Sequence, residues 1–254
     1  MKKIFQQLQM EAIRIARQYP GPDFYRDFSA EVARSYRHFI SDGQTRRIHD
    51  YVAETIENDY GHGIDHAQKV ALDAGALILA EGARFGYEDA RLVHLLSLAH
   101  CAGLLHDICR KQKKHARAGA AAAENILTEF GFSDRETADM CRAIANHEAF
   151  GDNHGSDTHA GDLLSDCLYD ADKFRWGPEN FTQTVWSMVN YMDISMETFM
   201  AHYPRGMAFL KKIRGTFRTS VGREYGPQFI DLGVAIGNDL HEFIRAEYLD
   251  ESAC

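Results

Sequence analysis

Apolar residues recur at three- and four-residue spacing along most of this chain, the spacing that places them on one face of an α-helix. Strand-like alternation of apolar and polar residues is nearly absent, and the chain has only five prolines. The pattern therefore predicts an all-α fold. In the N-terminal part it predicts three helices, over residues 4–19, 28–40 and 45–57.

The middle of the chain contains two motifs typical of helix starts. Residues 65–68 (DHAQ) resemble a capping box with Asp in place of Ser or Thr, and they predict a helix to about residue 81. Residues 133–136 (SDRE) form a second capping box and predict a helix to about residue 148. Between these two we expect a buried, nearly continuously apolar helix over 88–108 and an alanine-rich helix over 116–130.

The remaining part of the chain alternates between polar, glycine-bearing stretches and further helices. Residues 151–159 predict a loop, and residues 162–175 predict a helix that Gly177-Pro178 ends. Two or three helices follow, with a loop predicted at 219–227. There is no internal repeat and no low-complexity linker, so we expect the 254 residues to form a single domain.

Charge and composition narrow the function classes. The formal net charge is -9, which argues against a nucleic-acid-binding protein, since such proteins usually carry a basic face. Polar residues interrupt the start of the chain and the apolar stretch at 92–105, so we expect no signal peptide, no membrane span and a cytoplasmic location. The five cysteines are scattered and form no C-x-x-C pair, which predicts free thiols.

The most informative pair of residues is His106-Asp107, which follows the apolar pair Leu104-Leu105. A histidine and a carboxylate next to such an apolar run are costly to bury unless they are paired or bind a metal. Imidazole and carboxylate together suit a divalent first-row metal ion. The sequence therefore predicts metal binding at this helix end.

Two further residues can point toward the same place. His66 precedes Val70 and Ala74 at helical spacing, so it shares their inward face. Asp172 follows Leu164 and Leu168 in the same way. Three helices can thus deliver two imidazoles and two carboxylates to one point.

This pattern resembles the H…HD…D motif of the HD superfamily of metal-dependent phosphohydrolases. His106-Asp107 follows His66 by 40 residues, and Asp172 follows Asp107 by 65. The surrounding residues are also similar to the family, at 65–70 (DHAQKV), 103–108 (GLLHDI) and 169–174 (YDADKF). The resemblance covers about residues 60–177 and implies an HD-type helical bundle around the metal, with helical extensions at 1–59 and 178–254.

The resemblance implies hydrolysis of a phosphate ester, of a nucleotide or another small phosphorylated metabolite. The implied cofactor is one divalent ion, or two, of Fe, Mn, Co, Ni, Zn or Mg, because sites made of His and Asp bind these ions with overlapping affinity. Two other functions stay open: a di-iron oxygenase of the HD type, and a non-catalytic, metal-stabilised regulator that binds a nucleotide. The sequence gives no indication of the oligomeric state.

The resemblance also assigns further candidates around the metal. In family members of this shape the ligand is the Asp before a basic residue, which favours Asp172, followed by Lys173, over Asp170. Asp170 is then expected to orient a ligand. His115 and His147 resemble the extra ligands of two-metal members, and they are expected to bind a second metal or the substrate.

Basic residues near these ligands are candidates for binding phosphate. Lys173 and Arg175 follow Asp172 directly, and Arg218 and Arg223 lie in a segment rich in glycine and hydroxyl groups. Since guanidinium groups grip phosphate oxygens in pairs, we expect the segment 218–223 to close over the metal. The alternative is a solvated turn with scattered ion pairs.

The remaining histidines and aromatic residues carry weaker signals. His62 and His154 are expected in surface loops beside the site, and His94 and His100 as hydrogen-bonded core residues. Trp176 and Phe181 are candidates for stacking on a nucleobase, although aromatic residues are more often part of a core.

Overall fold

Helices are the only regular secondary structure in the part of the chain that is described. The computed structural model describes residues 2–56 and 63–249, and these residues contain no strand. Their α-helices are α1 Lys3–Ala16, α2 Phe24–Asp27, α3 Ser29–Ser41, α4 Gly43–Thr55, α5 Ile64–Arg84, α6 Asp89–Leu105, α7 His115–Glu129, α8 Asp134–Ala145, α9 His159–Phe174, α10 Val185–Met192, α11 Met196–Ile213 and α12 Ser220–Ile244. The prediction of an all-α fold is confirmed.

Two π-helical segments complete the order of elements. Asn180–Thr184 leads directly into α10, and Arg245–Leu249 follows α12. None of the described helices is long and apolar enough to cross a membrane. The end of the predicted helix 45–57, the beginning of the predicted core at residue 60, and His62 lie outside the described residues.

The centre of the fold is the close packing of α5 against α6. Gly103, near the end of α6, makes this approach possible, because a Cβ there would lie 2.5 Å from the Ala71 Cα on α5. Both helices are buried along most of their length, and α8 and α9 pack around them. The start of α5 and the end of α6 therefore meet beside the C-terminal end of α9.

A second apolar cluster lies beside this core. It joins α1, the first π-helical segment, α10, α11 and α12, and its fully buried members include Phe5, Leu8, Trp186 and Leu240. Phe5 contacts Phe199 edge to face, with ring centroids 5.8 Å apart. The N-terminal helix is thus packed against the C-terminal helices.

The two predicted capping boxes have different outcomes. Ser133 Oγ accepts a hydrogen bond from Glu136 N, and Glu136 Oε2 accepts one from Ser133 N at 2.7 Å, so the box at 133–136 is confirmed. The box at 65–68 is wrong. Residue 63, a glycine, precedes α5 without a side-chain cap, and Asp65 lies inside the first turn. An acidic residue there still interacts favourably with the helix dipole.

The predicted loop at 219–227 is also wrong, because α12 begins at Ser220. Thr219 Oγ1 caps it by accepting from Gly222 N at 2.7 Å. The glycines that suggested a turn serve close packing instead: a Cβ at Gly226 would lie 2.5 Å from the Phe217 ring. Pro227 lies inside the helix. The short helix α2 was not predicted.

Candidate metal centre

Four side chains from three helical elements converge at the centre of the fold. His66 lies in the first turn of α5, Asp172 lies near the end of α9, and His106-Asp107 occupy the turn that follows α6. His66 Nε2 lies 3.5 Å from Asp172 Oδ1 and 3.8 Å from Asp107 Oδ2. His106 Nε2 lies 3.5 Å from Asp107 Oδ2 and 3.8 Å from Asp172 Oδ1. All four side chains are buried.

The tautomer of His106 directs a lone pair into this cluster. Its Nδ1 lies 2.7 Å from the Gly103 carbonyl oxygen and must donate a proton to it. Nε2 is then left without a proton in neutral imidazole, and this buried atom has no hydrogen-bond partner among the described residues. A lone pair that faces two carboxylates is unfavourable, and either a proton on Nε2 or a bound cation would relieve the repulsion.

The pKa shifts of His106 and Asp172 also show that this cluster favours positive charge. Burial lowers the pKa of His106, but the Asp107 and Asp172 carboxylates outweigh burial and raise the pKa overall. Burial raises the pKa of Asp172, whereas Lys173 and the two imidazoles hold it well below its usual range. Two carboxylates and two imidazoles thus demand positive charge.

The donor set fits a divalent metal ion. Ligand atoms about 2.0–2.2 Å from one ion lie roughly 3–3.5 Å apart from each other, depending on the coordination angles. The distances of 3.5–3.8 Å in this cluster are slightly wider than that range. His66, His106 and Asp107 are nevertheless close enough together to hold an ion. Asp172 Oδ1 lies beside this group, within 3.8 Å of both imidazole Nε2 atoms.

A second group of possible ligands shares Asp107 with the first. Asp107 Oδ1 lies 3.4 Å from His147 Nε2 and 3.6 Å from His115 Nε2, and the two imidazole nitrogens are 3.2 Å apart. His147 Nδ1 donates to the Ile144 carbonyl at 2.7 Å, which leaves its Nε2 as an acceptor. Glu148, beside His147, lies 3.3 Å from His115 Nδ1.

Arg110 occupies the edge of this second group, and the sequence analysis missed it. Its Nη1 lies 2.7 Å from His115 Nε2 and 3.9 Å from Asp107 Oδ1. Burial and the guanidinium lower the pKa of His115 to about 4, so this imidazole is neutral at neutral pH. The available signal was the position of Arg110 in the turn directly after the His106-Asp107 pair.

The structure separates the two candidate aspartates on α9. Asp172 faces the imidazoles, and Lys173 Nζ holds its other oxygen at 2.5 Å while donating to the His147 carbonyl at 2.9 Å. Asp170 faces the other way. Its two oxygens accept from Arg218 N and Thr219 N, each at 2.8 Å. Burial raises the pKa of Asp170 to about 7, although these two hydrogen bonds oppose the rise.

The expectation that Asp170 orients a metal ligand is therefore wrong, because its carboxylate holds the start of α12. Lys173 is the residue that contacts Asp172 directly. It is buried between Asp172 and the His147 carbonyl, so its ammonium group is already paired.

The expected phosphate-binding segment at 218–223 is also in the wrong place. Residues 170 and 172 point to opposite sides of α9, and the segment follows Asp170. The Arg218 guanidinium stacks on the Tyr169 ring, 3.6 Å from its centroid, and Arg223 is exposed and donates to the Arg218 carbonyl. Neither arginine lies with the metal ligands.

Arg175 lies beside the site, but its guanidinium is already paired and is not available to bind phosphate as predicted. Its guanidinium donates to Asp73, to the Tyr25 hydroxyl and to Glu179 Oε2. The two carboxylates neutralise it, and its contacts with Tyr25 and Asp73 join α2 and α5 to the end of α9. Arg175 therefore stabilises one wall of the site.

The other predicted residues divide between the core and the surface. His100 is fully buried and bonded to Ser35 Oγ at 2.9 Å, and the His154 side chain is exposed, both as expected. His94 was expected in the core, but it is exposed and pairs with Glu136 Oε1 at 3.3 Å. Its position on the solvent side of α6 explains the difference.

A cavity of about 650 Å³ opens next to the metal ligands. His66, Arg110 and Arg175 line one part of it, and α10, α11 and the first π-helical segment supply most of the remaining wall. Trp176 and Phe181, the two aromatic residues considered for stacking, are both in this wall. The cavity gives a small molecule a path to the metal centre.

No protein-family model matches the sequence, and searches of curated proteins and of solved structures returned no significant match.

Proposed function

We propose that this protein is a metal-dependent phosphohydrolase of the HD type that cleaves a phosphate ester of a small molecule. The observation that carries the proposal is the convergence of His66, His106, Asp107 and Asp172 in one buried cluster beside a cavity. Their order along the chain resembles the H…HD…D motif of that superfamily. A divalent ion held there would supply a Lewis acid that activates water and polarises the ester.

Arg110 is the residue that we propose for binding the phosphate. Two carboxylates offset the charge of one divalent ion, so a dianionic phosphate requires further positive charge. The Arg110 guanidinium lines the cavity, adjoins Asp107 and can donate two hydrogen bonds to phosphate oxygens. Lys173 and Arg175 support this arrangement by holding Asp172 and the cavity wall.

We further propose that the chain binds one ion rather than two. The second group, Asp107, His115 and His147, already has a cation at its edge, because Arg110 Nη1 lies 2.7 Å from His115 Nε2. Wild-type protein should therefore bind one ion per chain, and Arg110→Ala close to two, as measured by elemental analysis after equilibrium dialysis. Arg117→Ala is the matched control, since Arg117 pairs with Asp152 on the surface. Two ions in the wild type would contradict this proposal.

The activity is tested by removing the metal, restoring each candidate ion separately, and measuring phosphate release from a panel of nucleotides and other phosphate monoesters. We expect release by the wild type, loss in Asp172→Asn, and retention in Asp166→Asn, which makes the same change on the same helix away from the imidazoles. Absence of release with every ion would refute the proposal.

The two other functions predict different results in the same experiment. A di-iron oxygenase would bind two irons per chain and consume oxygen, and the sharing of Asp107 by two ligand groups is the observation that favours it. A non-catalytic regulator would bind a nucleotide without releasing phosphate.

A further inference from the structure

The cavity beside the metal centre has an unusual division between its polar and apolar parts. Its polar end contains His66 and Arg110. The wall contributed by the π-helical segment, α10 and α11 includes the buried apolar side chains Phe181, Val189 and Phe199. A ligand that fills this cavity therefore meets His66 and Arg110 at one end and mainly apolar side chains along the rest of the wall, where polar residues such as Asn180, Thr184 and Thr198 are interspersed.

We propose that the substrate is the phosphate ester of a bulky apolar alcohol, with its hydrocarbon part in this cavity. The inference rests on the proposed phosphohydrolase function and adds the substrate class. Arg110 would bind the phosphate beside the metal that the cluster would hold, and the apolar group would extend between α10 and α11. The volume of about 650 Å³ lies within the range of roughly 300–1,000 Å³ that is usual for small-molecule sites.

Arg110 is better placed than Arg175 to receive the phosphate. Arg175 also lines the cavity, but Asp73 and Glu179 already neutralise its guanidinium. Arg110 Nη1 lies 2.7 Å from His115 Nε2 but 3.9 Å from Asp107 Oδ1, its one carboxylate contact among the described residues, and its side chain is one-third exposed, at 34%. The anionic end of a substrate is thereby directed to the metal ligands, and its other end is directed to the apolar wall.

The wall disfavours a polyhydroxylated alcohol. Sugar hydroxyl groups buried against Phe181, Val189 and Phe199 would lose hydrogen bonds to water without gaining new ones. An aliphatic chain or an apolar aromatic ring loses no hydrogen bonds there. Both kinds of hydrocarbon satisfy the same wall, so the test includes one of each.

The rim of the cavity supports the same assignment. Met188, Met192 and Phe209 line the cavity, yet they are 37%, 49% and 37% exposed. Large apolar side chains grouped at an opening commonly mark a place where an apolar ligand binds. Methionine suits this role because its flexible, polarisable side chain adapts to ligands of different shape.

The first experiment measures kcat/KM for ethyl, butyl, hexyl and octyl phosphate, each below its micelle concentration, with the metal-loaded protein. We expect kcat/KM to rise by about threefold to fourfold per buried methylene group. 1-Naphthyl phosphate supplies the aromatic arm, and glucose 6-phosphate and adenosine 5′-phosphate supply the polar arms. A preference for either polar ester over octyl and naphthyl phosphate would overturn the proposal while leaving the hydrolytic function intact.

The second experiment measures binding without catalysis. Octylphosphonate, which is not hydrolysed, should bind the metal-loaded protein at least tenfold more tightly than methylphosphonate by titration calorimetry. If octylphosphonate binds in this way but no ester is cleaved, the phosphohydrolase function fails and the apolar site remains. Equal affinity for the two phosphonates would overturn the apolar site.

Variants at the rim locate the binding. Met188→Gln and Met192→Gln keep the side-chain length but add a polar amide, and they should lower kcat/KM for octyl phosphate several-fold and flatten its dependence on chain length. Met10→Gln is the matched control, because Met10 is exposed on α1 and does not line the cavity. An unchanged chain-length dependence in both rim variants would overturn the assignment of this cavity.

Discussion

Individual histidines in this protein have their ring nitrogens fixed by backbone carbonyls. His106 and His147 each use Nδ1 to donate to the carbonyl three residues earlier, at 2.7 Å in both cases. Each therefore presents Nε2 to a carboxylate oxygen of Asp107. Such a second hydrogen bond orients a metal-binding imidazole and makes it more basic. The hydrogen bond from Nδ1 to the local backbone therefore leaves Nε2 of each ring able to accept a proton or a cation.

The two aspartates of α9 allow a direct test of this assignment. Asp172→Asn should weaken metal binding at least tenfold, because it removes charge from the cluster at His66 and His106, and it should also lower stability, because the buried Lys173 ammonium loses its carboxylate partner. Asp170→Asn should keep metal affinity but lower the free energy of unfolding by roughly 1–3 kcal/mol, since an amide nitrogen would face an N–H donor of α12. Metal titration and urea unfolding of both variants give the comparison. The opposite ranking would move the ligand to Asp170.

His100 supplies a pH-dependent contribution to stability. Burial lowers its pKa to about 3, and Ser35 Oγ donates to the Leu72 carbonyl, so His100 Nε2 donates to Ser35. The folded pKa of His100 lies below its unfolded value of about 6.5. The contribution of neutral His100 to stability is therefore complete above about pH 6.5 and is lost as the pH falls from there toward the folded pKa. At pH 5 the wild type should have lost about 2 kcal/mol relative to pH 8 from this group.

The variant His100→Gln keeps an N–H donor and does not titrate, so it isolates this effect from other histidines. Urea unfolding of both proteins at pH 8 and pH 5 should show the wild type losing more stability on acidification than the variant. Equal losses in the two proteins would show that His100 does not remain neutral in the fold.

At the scale of elements, the beginning of α12 is held by carboxylates from two other helices. Asp170 on α9 accepts from Arg218 N and Thr219 N, and Glu81 on α5 accepts from Val221 N at 2.5 Å. Carboxylates at a helix N-terminus satisfy N–H groups that have no partner within the helix, and they complement its dipole. The region that the sequence suggested as a mobile loop is therefore fixed to the core.

Gly222 tests whether this region is a packed helix start or a loop. A Cβ at Gly222 would overlap Asp170 Oδ2, so Gly222→Ala should lower the free energy of unfolding by about 1–3 kcal/mol. Gly206→Ala is the control, because Gly206 lies in α11 with open space around it and alanine there should stabilise by up to about 1 kcal/mol. Thermal or urea unfolding distinguishes the two. A neutral Gly222→Ala variant would indicate a loop.

The sequence predicted the all-α fold and the convergence of His66, His106, Asp107 and Asp172 more reliably than the surroundings of these residues. Helical spacing placed the four side chains inward, while their role as metal ligands stays a prediction. Arg110 was missed because an arginine in a turn resembles a solvated one until the neighbouring helices are in position. The loop at 219–227 was wrong because glycine and proline also occur where a helix packs closely.

At the scale of the whole molecule, the candidate site lies between two apolar clusters. The helices that carry the metal ligands, α5, α6 and α9, belong to the first cluster, whereas Phe181, Val189 and Phe199 of the cavity wall belong to the second. The spacing of apolar residues in the sequence could not show that α10 and α11 line a cavity. Their amphipathic pattern is the same as that of helices that only pack in the core. The arrangement allows the wall to change without disturbing the metal ligands.

Phe5 on α1 tests this separation because it supports the wall from behind. It is fully buried, and its ring contacts Phe199 and Trp186 with centroids 5.8 Å and 6.4 Å away. Phe5→Ala should cost about 3–5 kcal/mol of stability. It should also weaken binding of octylphosphonate several-fold, since Phe199 loses its support, while metal affinity stays within about twofold of the wild type.

The matched control for Phe5→Ala is Phe39→Ala, which removes a buried phenylalanine from the first cluster instead. This variant should lose comparable stability without the selective loss of octylphosphonate binding. Titration calorimetry with the metal and with octylphosphonate, at a temperature where both variants are folded, gives the comparison. If Phe5→Ala weakens metal and phosphonate binding equally, the two clusters respond as one unit, and the metal ligands depend on the N-terminal helix as much as the cavity does.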